Sequence, residues 1–228
     1  MTEDQLDFEM GSDFKGLKYV GGVDISFIKG DDTNACAALV ILSFPQLQVV
    51  YTDYEMVKLT KPYIPFFLAF REVEHLLPLL ERVKREKSEI YPQVLFVDGN
   101  GFFHKRGFGL ACHLGVLSDI PTIGVGKNFL VFDGMDAKKC KQDFKENCKS
   151  KGAWREVKGA SGTVWAAAFQ STGKLTNPVF ISVGHRVSLQ TACALSTACC
   201  KVRVPEPVRQ ADSGSRDFLS KRLKKEEN

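Results

Sequence analysis

Two aspartates interrupt apolar runs, and they are the residues with the clearest chemical potential. Asp98 ends the run Val94 to Val97 and is followed by a Gly-Asn-Gly turn, in the stretch PQVLFVDGNGFFHKR. Asp24 lies in the middle of YVGGVDISFI, where an unpaired charge would cost several kcal/mol unless it is paired or bound to a metal. Glu72 sits beside an apolar stripe at helical spacing, about 100° round from Val73 on an ideal helix, and Lys127 follows the apolar run that begins at Pro121. Two acids facing each other on one sheet repel unless a divalent cation lies between them. Ligands that offer only oxygen suit Mg²⁺ or Mn²⁺ rather than zinc. The chemistry that most needs such a cation is phosphoryl transfer, in which the metal activates water and metal or lysine charge stabilises the transition state. Plainer readings of the same residues stand beside this one. Asp98 can open an ordinary Asp-Gly turn, Asp24 and Ser26 can be the wet face of an alternating strand, and Arg71, Glu72 and Lys127 can be solvated charges.

Positioning these groups requires a sheet. Residues 18–28, 35–44 and 46–57 read as three strands with short connections, hence an antiparallel meander. A helix follows, with the apolar stripe Phe66, Phe70, Val73, Leu77, Leu80 and Val83, and Pro78 is expected to kink or restart it. The strand at 94–97, a helix over 110–117 and a strand over 121–132 form a parallel βα unit. Residues 133–158, rich in Lys, Asp and Glu, read as a surface insertion. GTVWAAAFQS and PVFISVGHR give two more strands, and residues 187–202 a helix capped by Ser188. RVPEPVRQADSGSRDF reads as a proline-bearing loop leading into a last helix. The expected fold class is therefore α/β, a mixed sheet flanked by helices, in one domain over 17–220. Residues 1–16 are expected to be acidic and loosely ordered, and 221–228 a fraying charged tail.

The chain has 228 residues, 44% hydrophobic and 25% charged, with net charge +4 and pI near 8.6. That composition suits a globular protein and permits an anionic partner. The seven cysteines are an odd count without CxxC pairing, which favours a reduced intracellular setting over a disulfide framework or zinc site. No apolar run approaches membrane-spanning length, and the acidic N-terminus has no secretory h-region. Gly99 and Gly101 lack the third glycine of a dinucleotide fingerprint, since His104 occupies its position. Walker A, G-x-S-x-G and H-E-x-x-H patterns are absent as well.

VGGVDISF, PYIP, LAFREV, VDGNGFFHKRGFGLACHLGV, GVGKNFL, ISVGHRVSL and PEPVRQAD together resemble the endonuclease V family, in particular its animal members, over residues 18–216. The resemblance implies a ribonuclease H-like fold and a Mg²⁺-dependent endonuclease, with Mn²⁺ as substitute. Cleavage would fall at the second phosphodiester 3′ to inosine, in single-stranded RNA and also in deoxyinosine-containing DNA, leaving 5′-phosphate ends. It implies Asp24, Asp98 and Glu72 as metal ligands, Asp212 as a supporting carboxylate, and Lys127 and His185 at the reacting phosphates. Pro62, Tyr63 and Ile64 would form a wedge that fills the gap left by the turned-out base. Leu68, Gly99, Gly101 and Gly109 would line the base pocket, with His104 close to the following phosphate. A monomer in cytoplasm and nucleus or nucleolus is expected. The sequence departs from the family in lacking a helix before the first strand, in Gly126 where Ala is usual, and in the 133–158 insertion. His185 as a merely capping or core histidine, and the whole chain as an inosine-RNA binding protein without cleavage, are the alternatives.

Overall fold

A computed structural model describes residues 3–11, 13–62, 64 and 66–226. Eight strands form one mixed sheet in the order β3-β2-β1-β4-β5-β8-β7-β6. The meander is β1 (Tyr19–Phe27), β2 (Asn34–Ser43) and β3 (Val49–Lys58). The parallel centre adds β4 (Val94–Asp98) and β5 (Thr122–Gly126) beside β1. β6 (Trp154–Lys158), β7 (Val164–Phe169) and β8 (Val179–His185) complete the far side, all antiparallel. The central strands are apolar runs because both faces are covered, whereas the edge strands β3 and β6 carry polar, exposed residues.

Alternation along the strands sends neighbouring residues to opposite layers. Val20, Val94, Phe96 and Val125 pack with α4 (Leu189–Cys199) and α5 (Glu206–Glu226). Val23, Leu95 and Val97 pack with α1 (Leu68–Glu86) and α2 (Leu110–Ser118). The core side of α1 is Ala69, Val73, Leu76, Leu79, Leu80 and Val83. Leu79→Ala there should cost roughly 2–5 kcal/mol. The expected stripe is thus out of phase at its start. The helix begins at Leu68, Phe66 lies outside it with φ +67°, and Phe70 is 58% exposed. Pro78 lies on the exposed side within one continuous helical span.

Three segments are more structured than their composition suggests. Asp4 accepts bonds from Ser188 N and Thr191 Oγ1 at the start of α4 (2.6 and 2.7 Å), and Phe8 and Phe14 are buried, so the acidic N-terminal stretch is anchored. The 133–158 segment contains α3 (Ala137–Asn147) and β6, and buries Phe144, Cys148 and Val157 against β7 and β8. Its charges occupy the outer side of an amphipathic helix, capped by the Asp136 carboxylate at the Lys138 and Lys139 N–H groups. α5 begins at Glu206 rather than after a long loop, because Pro205 precedes the helix and Pro207 sits in its first turn, where no intrahelical N–H is required. The same helix continues to Glu226, through residues expected to fray. Gly22 lets α5 approach β1 closely: a Cβ there would stand 2.0 Å from the Pro207 carbonyl oxygen.

Candidate active site

Parallel pairing of β1 and β4 sets Val23 opposite Val97, so Asp24 and Asp98 follow abreast at the carboxyl edge of the sheet centre. Ligands commonly bind at that edge in α/β sheets. Both side chains point to the layer that α5 covers, and α5 brings Asp212 over them. One carboxylate oxygen from each of Asp24, Asp98 and Asp212 lies within 4.8 Å of the others. Lys127 leaves the end of β5 and places Nζ 2.5 Å from Asp98 Oδ2 and 3.4 Å from Asp212 Oδ2. Arg216 holds the second Asp212 oxygen at 2.6 Å. Ser26 donates to Asp24 Oδ2 at 2.8 Å, and Ser215 Oγ lies 3.1 Å from the same atom.

The electrostatics are those of crowded like charge. Burial, then the neighbouring Asp98 carboxylate, push Asp24 up to about 7 against the opposing effect of the Ser26 bond. Burial, then the Asp24 charge, push Glu72 up to about 7, offset in part by Arg71. Arg71 is itself buried; its guanidinium donates to the Asp32 carbonyl and lies over the Phe27 ring. Burial would lower Lys127, but Asp98 and Asp212 hold it above its ordinary value. The donor set is oxygen only, with more negative than positive charge converging on it, and this fits a hard divalent cation. Asp24, Asp98 and Asp212 could hold a metal. Glu72 feels the charges of Asp24 and Asp98 and lines the cavity beside Asp98, while Asp212 stands with Asp24 and Asp98 in one three-acid group.

A cavity of about 390 Å³ opens beside Asp98 and Glu72. Leu68, Gly99, His104 and Gly109 line it, as does Asn100, and its size is that of a small-ligand site. Gly109 permits a tight fold: a Cβ there would fall 2.3 Å from the Asn100 carbonyl oxygen. The Asn100 carboxamide oxygen is buried without a partner among the described residues. Gly126 faces it, and a Cβ at 126 would stand 2.4 Å from that oxygen. Gly126 is therefore sterically coupled to Asn100. The His104 ring meets Phe66 edge-on at 5.7 Å, and Arg106 lies over Phe67 at 4.4 Å. These contacts clasp the 102–108 loop to the residues before α1. Burial and the Arg106 charge keep His104 below its ordinary pKa.

Gly101 is not part of the cavity wall. It packs against β8, where a Cβ would meet the Val183 carbonyl oxygen at 2.1 Å, and its N–H donates to Ser182 Oγ. His185 is not brought to the acids either. It pairs with Thr122 at the start of β5, while Gly126, which precedes Lys127, pairs with Phe180. Four residues of strand, roughly 13 Å, separate those ends. The cause is that β8 runs antiparallel to β5, carrying His185 back to the opposite edge, where Nε2 lies 3.6 Å from Asp119. Pro62 and Ile64 are exposed next to α1, and Tyr63 lies outside the described residues. Asn100, Ser26, Ser215 and Arg216 were not anticipated. Asp212, Ser215 and Arg216 fall at i, i+3 and i+4, one helix face, a signal that the proline-loop reading hid.

A family model described as Endonuclease V matches residues 2–213. Human Endonuclease V is 50% identical over 210 residues, covering 92% of this chain and 74% of the human protein. A crystal structure of the human protein superposes with a TM-score of 0.94 at 47% identity, covering 98% of this chain and 93% of that one. A Ciona intestinalis Endonuclease V in complex with a 23mer DNA containing an inosine followed by a ribo-adenosine superposes with a TM-score of 0.85 at 40% identity, covering 90% and 87%. These matches span the sheet, the three acids and the cavity beside them, and the chain with its ribonuclease H-like fold belongs to the Endonuclease V family of nucleases.

Proposed function

We propose that this chain is a divalent-cation-dependent endonuclease that recognises inosine in single-stranded RNA and, more weakly, deoxyinosine in DNA. It hydrolyses the second phosphodiester 3′ to that nucleotide, leaving a 5′-phosphate and a 3′-hydroxyl. The observation that carries the proposal is the three-carboxylate cluster standing next to a glycine-lined cavity. Asp24, Asp98 and Asp212 would hold Mg²⁺ or Mn²⁺, and the ion when bound would supply water activation and charge stabilisation at phosphorus. Glu72 lines the cavity beside Asp98 and takes part through water. Lys127 orients a non-bridging phosphate oxygen and offsets the charge that grows on it. His185 has no part in this assignment, because the sheet separates it from the acids.

The cavity takes the base. Hypoxanthine presents an acceptor at O6 and a donor at N1, the reverse of adenine, and backbone groups at Gly99, Asn100 and Gly109 can read that edge. Guanine shares the edge and adds an amino group, so close walls must exclude it. The ribo-adenosine that follows inosine in the Ciona intestinalis complex supports reading a 2′-hydroxyl at the next nucleotide, the group that separates RNA from DNA.

The test is a cleavage panel in Mg²⁺: inosine RNA, deoxyinosine DNA, and deoxyinosine DNA with one ribonucleotide after the lesion, with adenosine and guanosine controls. The RNA and the single-ribonucleotide strand should be cut at the second bond, the all-DNA strand more slowly, and the controls not at all. Tight inosine binding without cutting would make the chain a binding protein. Cutting of the guanosine control would remove the assigned base selectivity.

A further inference from the structure

The cavity for the base lies beside Asp98, and a second opening reaches the acid cluster through Lys127. On the other side of the segment that leaves β5 lies a groove of about 420 Å³. Lys127, Asn128 and Phe129 face the groove, whereas Leu130 faces the base cavity, so this short segment is the wall between them. Lys141 of α3, Asn177 and Arg203 complete the polar part of the groove. It therefore carries three cations and two carboxamides, with no carboxylate lining it among the described residues. Lys141 is exposed and has no ion pair among the described residues. Arg203 reaches the carbonyl oxygens of Lys127 and Pro178 at 3.4 and 3.5 Å, and so ties the groove's rim to the backbone that carries Lys127. Lys127 is already paired with Asp98 and Asp212, which leaves Lys141 and Arg203 as the groove's cations without a carboxylate partner among the described residues. Solvated cations of this kind raise the local concentration of a polyanion and bind phosphates with little regard to sequence.

Direction follows from the order of parts. If the base occupies the cavity and the cut falls 3′ to it, the chain passes the acids and Lys127 and must continue beyond them, away from the cavity. We propose that this groove, including Lys141 from the 133–158 segment, binds the phosphodiester backbone of the nucleotides downstream of the cut. The proposal rests on the inosine-nuclease reading for its polarity. It assigns a substrate-binding role to the part of the chain with the least family motif content. The inosine then sets where the enzyme cuts, and the 3′ arm sets much of how tightly it holds.

The experiment compares Lys141→Glu with Lys139→Glu. Both make the same charge change on α3, but Lys139 faces the separate cavity between α3 and β6. Each protein is tested on inosine RNA with a long 3′ arm, and on RNA cut back to the nucleotide following the scissile bond. Kd is read by fluorescence anisotropy in EDTA and KM by cleavage in Mg²⁺. Lys141→Glu should raise both by roughly fivefold to tenfold on the long 3′ arm and flatten the salt dependence by about one phosphate contact. That penalty should shrink to under about twofold on the truncated strand, and Lys139→Glu should stay within about twofold throughout. Equal penalties for the two variants, or a Lys141→Glu penalty that persists undiminished on the truncated strand, would overturn the groove. The two readings fail separately. Wild-type protein that cuts no inosine strand rejects the nuclease reading, while intact cutting with an indifferent Lys141→Glu rejects only the groove. The anisotropy arm judges the groove without any cleavage.

Discussion

Asp133, in the turn before α3, and Asp24, on β1, are held in opposite ways. The Asp133 carboxylate accepts bonds from Ser161 Oγ at 2.6 Å, Ser161 N at 3.1 Å and Trp165 Nε1 at 2.7 Å. The Ser161 hydroxyl and the Trp165 indole hold it below the ordinary carboxylate range. Asp24 is 7% exposed, accepts from Ser26, and faces Asp98 and Asp212. Burial and like charge push it up to about 7. A carboxylate surrounded by donors is complete and ties a loop down. A carboxylate buried among other carboxylates is stabilised only when a cation arrives, and that incompleteness separates a binding centre from a structural one.

Asp24→Asn should break the comparison most sharply, because it separates activity from stability. Cleavage should fall by roughly three orders of magnitude for loss of a metal-ligand carboxylate. Stability in EDTA at pH 8 should rise, by roughly 1–3 kcal/mol, because a repelled buried charge has been removed. A variant that melts lower than the parent under those conditions would mean Asp24 is a satisfied structural acid, like Asp133.

The pH dependence has a definite sign. Asp24 and Glu72 are raised from 3.8 and 4.5 to about 7 in the folded protein. The unfolded chain releases these protons first, so the protein without metal should lose stability as pH rises from about 4 to about 7 and then level off. Mg²⁺ should recover much of the loss at pH 7.5. Thermal melts across that range, with EDTA and with Mg²⁺, check both halves. Gly126→Ala should be milder, lowering kcat/KM by roughly threefold to tenfold through displacement of the Asn100 side chain beside the base cavity. The smallest effect on catalysis belongs to Asp133→Asn. It should lower Tm by loosening the Ser161 and Trp165 contacts, and leave cleavage of inosine RNA unchanged.

The parts of the site that lie on buried strands were legible because an acid at the end of an apolar run violates a strong expectation. Asp24 and Asp98 stand out for that reason, and parallel pairing of β1 with β4 makes them neighbours. Glu72 was legible from helical phase, even though the phase of the first turn was misjudged at Phe66 and Phe70. What could not be read is direction and docking. Nothing local to GHR says that β8 runs back against β5, so His185 looked available to the phosphates when it stands at the far edge. Pro205 and Pro207 look like breakers, yet they start α5, and it is α5 lying on Gly22 that delivers Asp212, Ser215 and Arg216. The 133–158 segment reads as a surface insertion because its charges are obvious, while its inward residues, Phe144, Cys148 and Val157, are few.

The most direct measurement is a Mg²⁺ titration of single-turnover cleavage on inosine RNA by the wild-type chain and by Asp98→Ala. The account predicts cleavage that saturates with Mg²⁺, vanishes in EDTA, and is absent in Asp98→Ala while that variant still binds the strand. Cleavage by the wild-type chain that persists undiminished in EDTA, or an Asp98→Ala protein that cuts as fast as the parent, would contradict it.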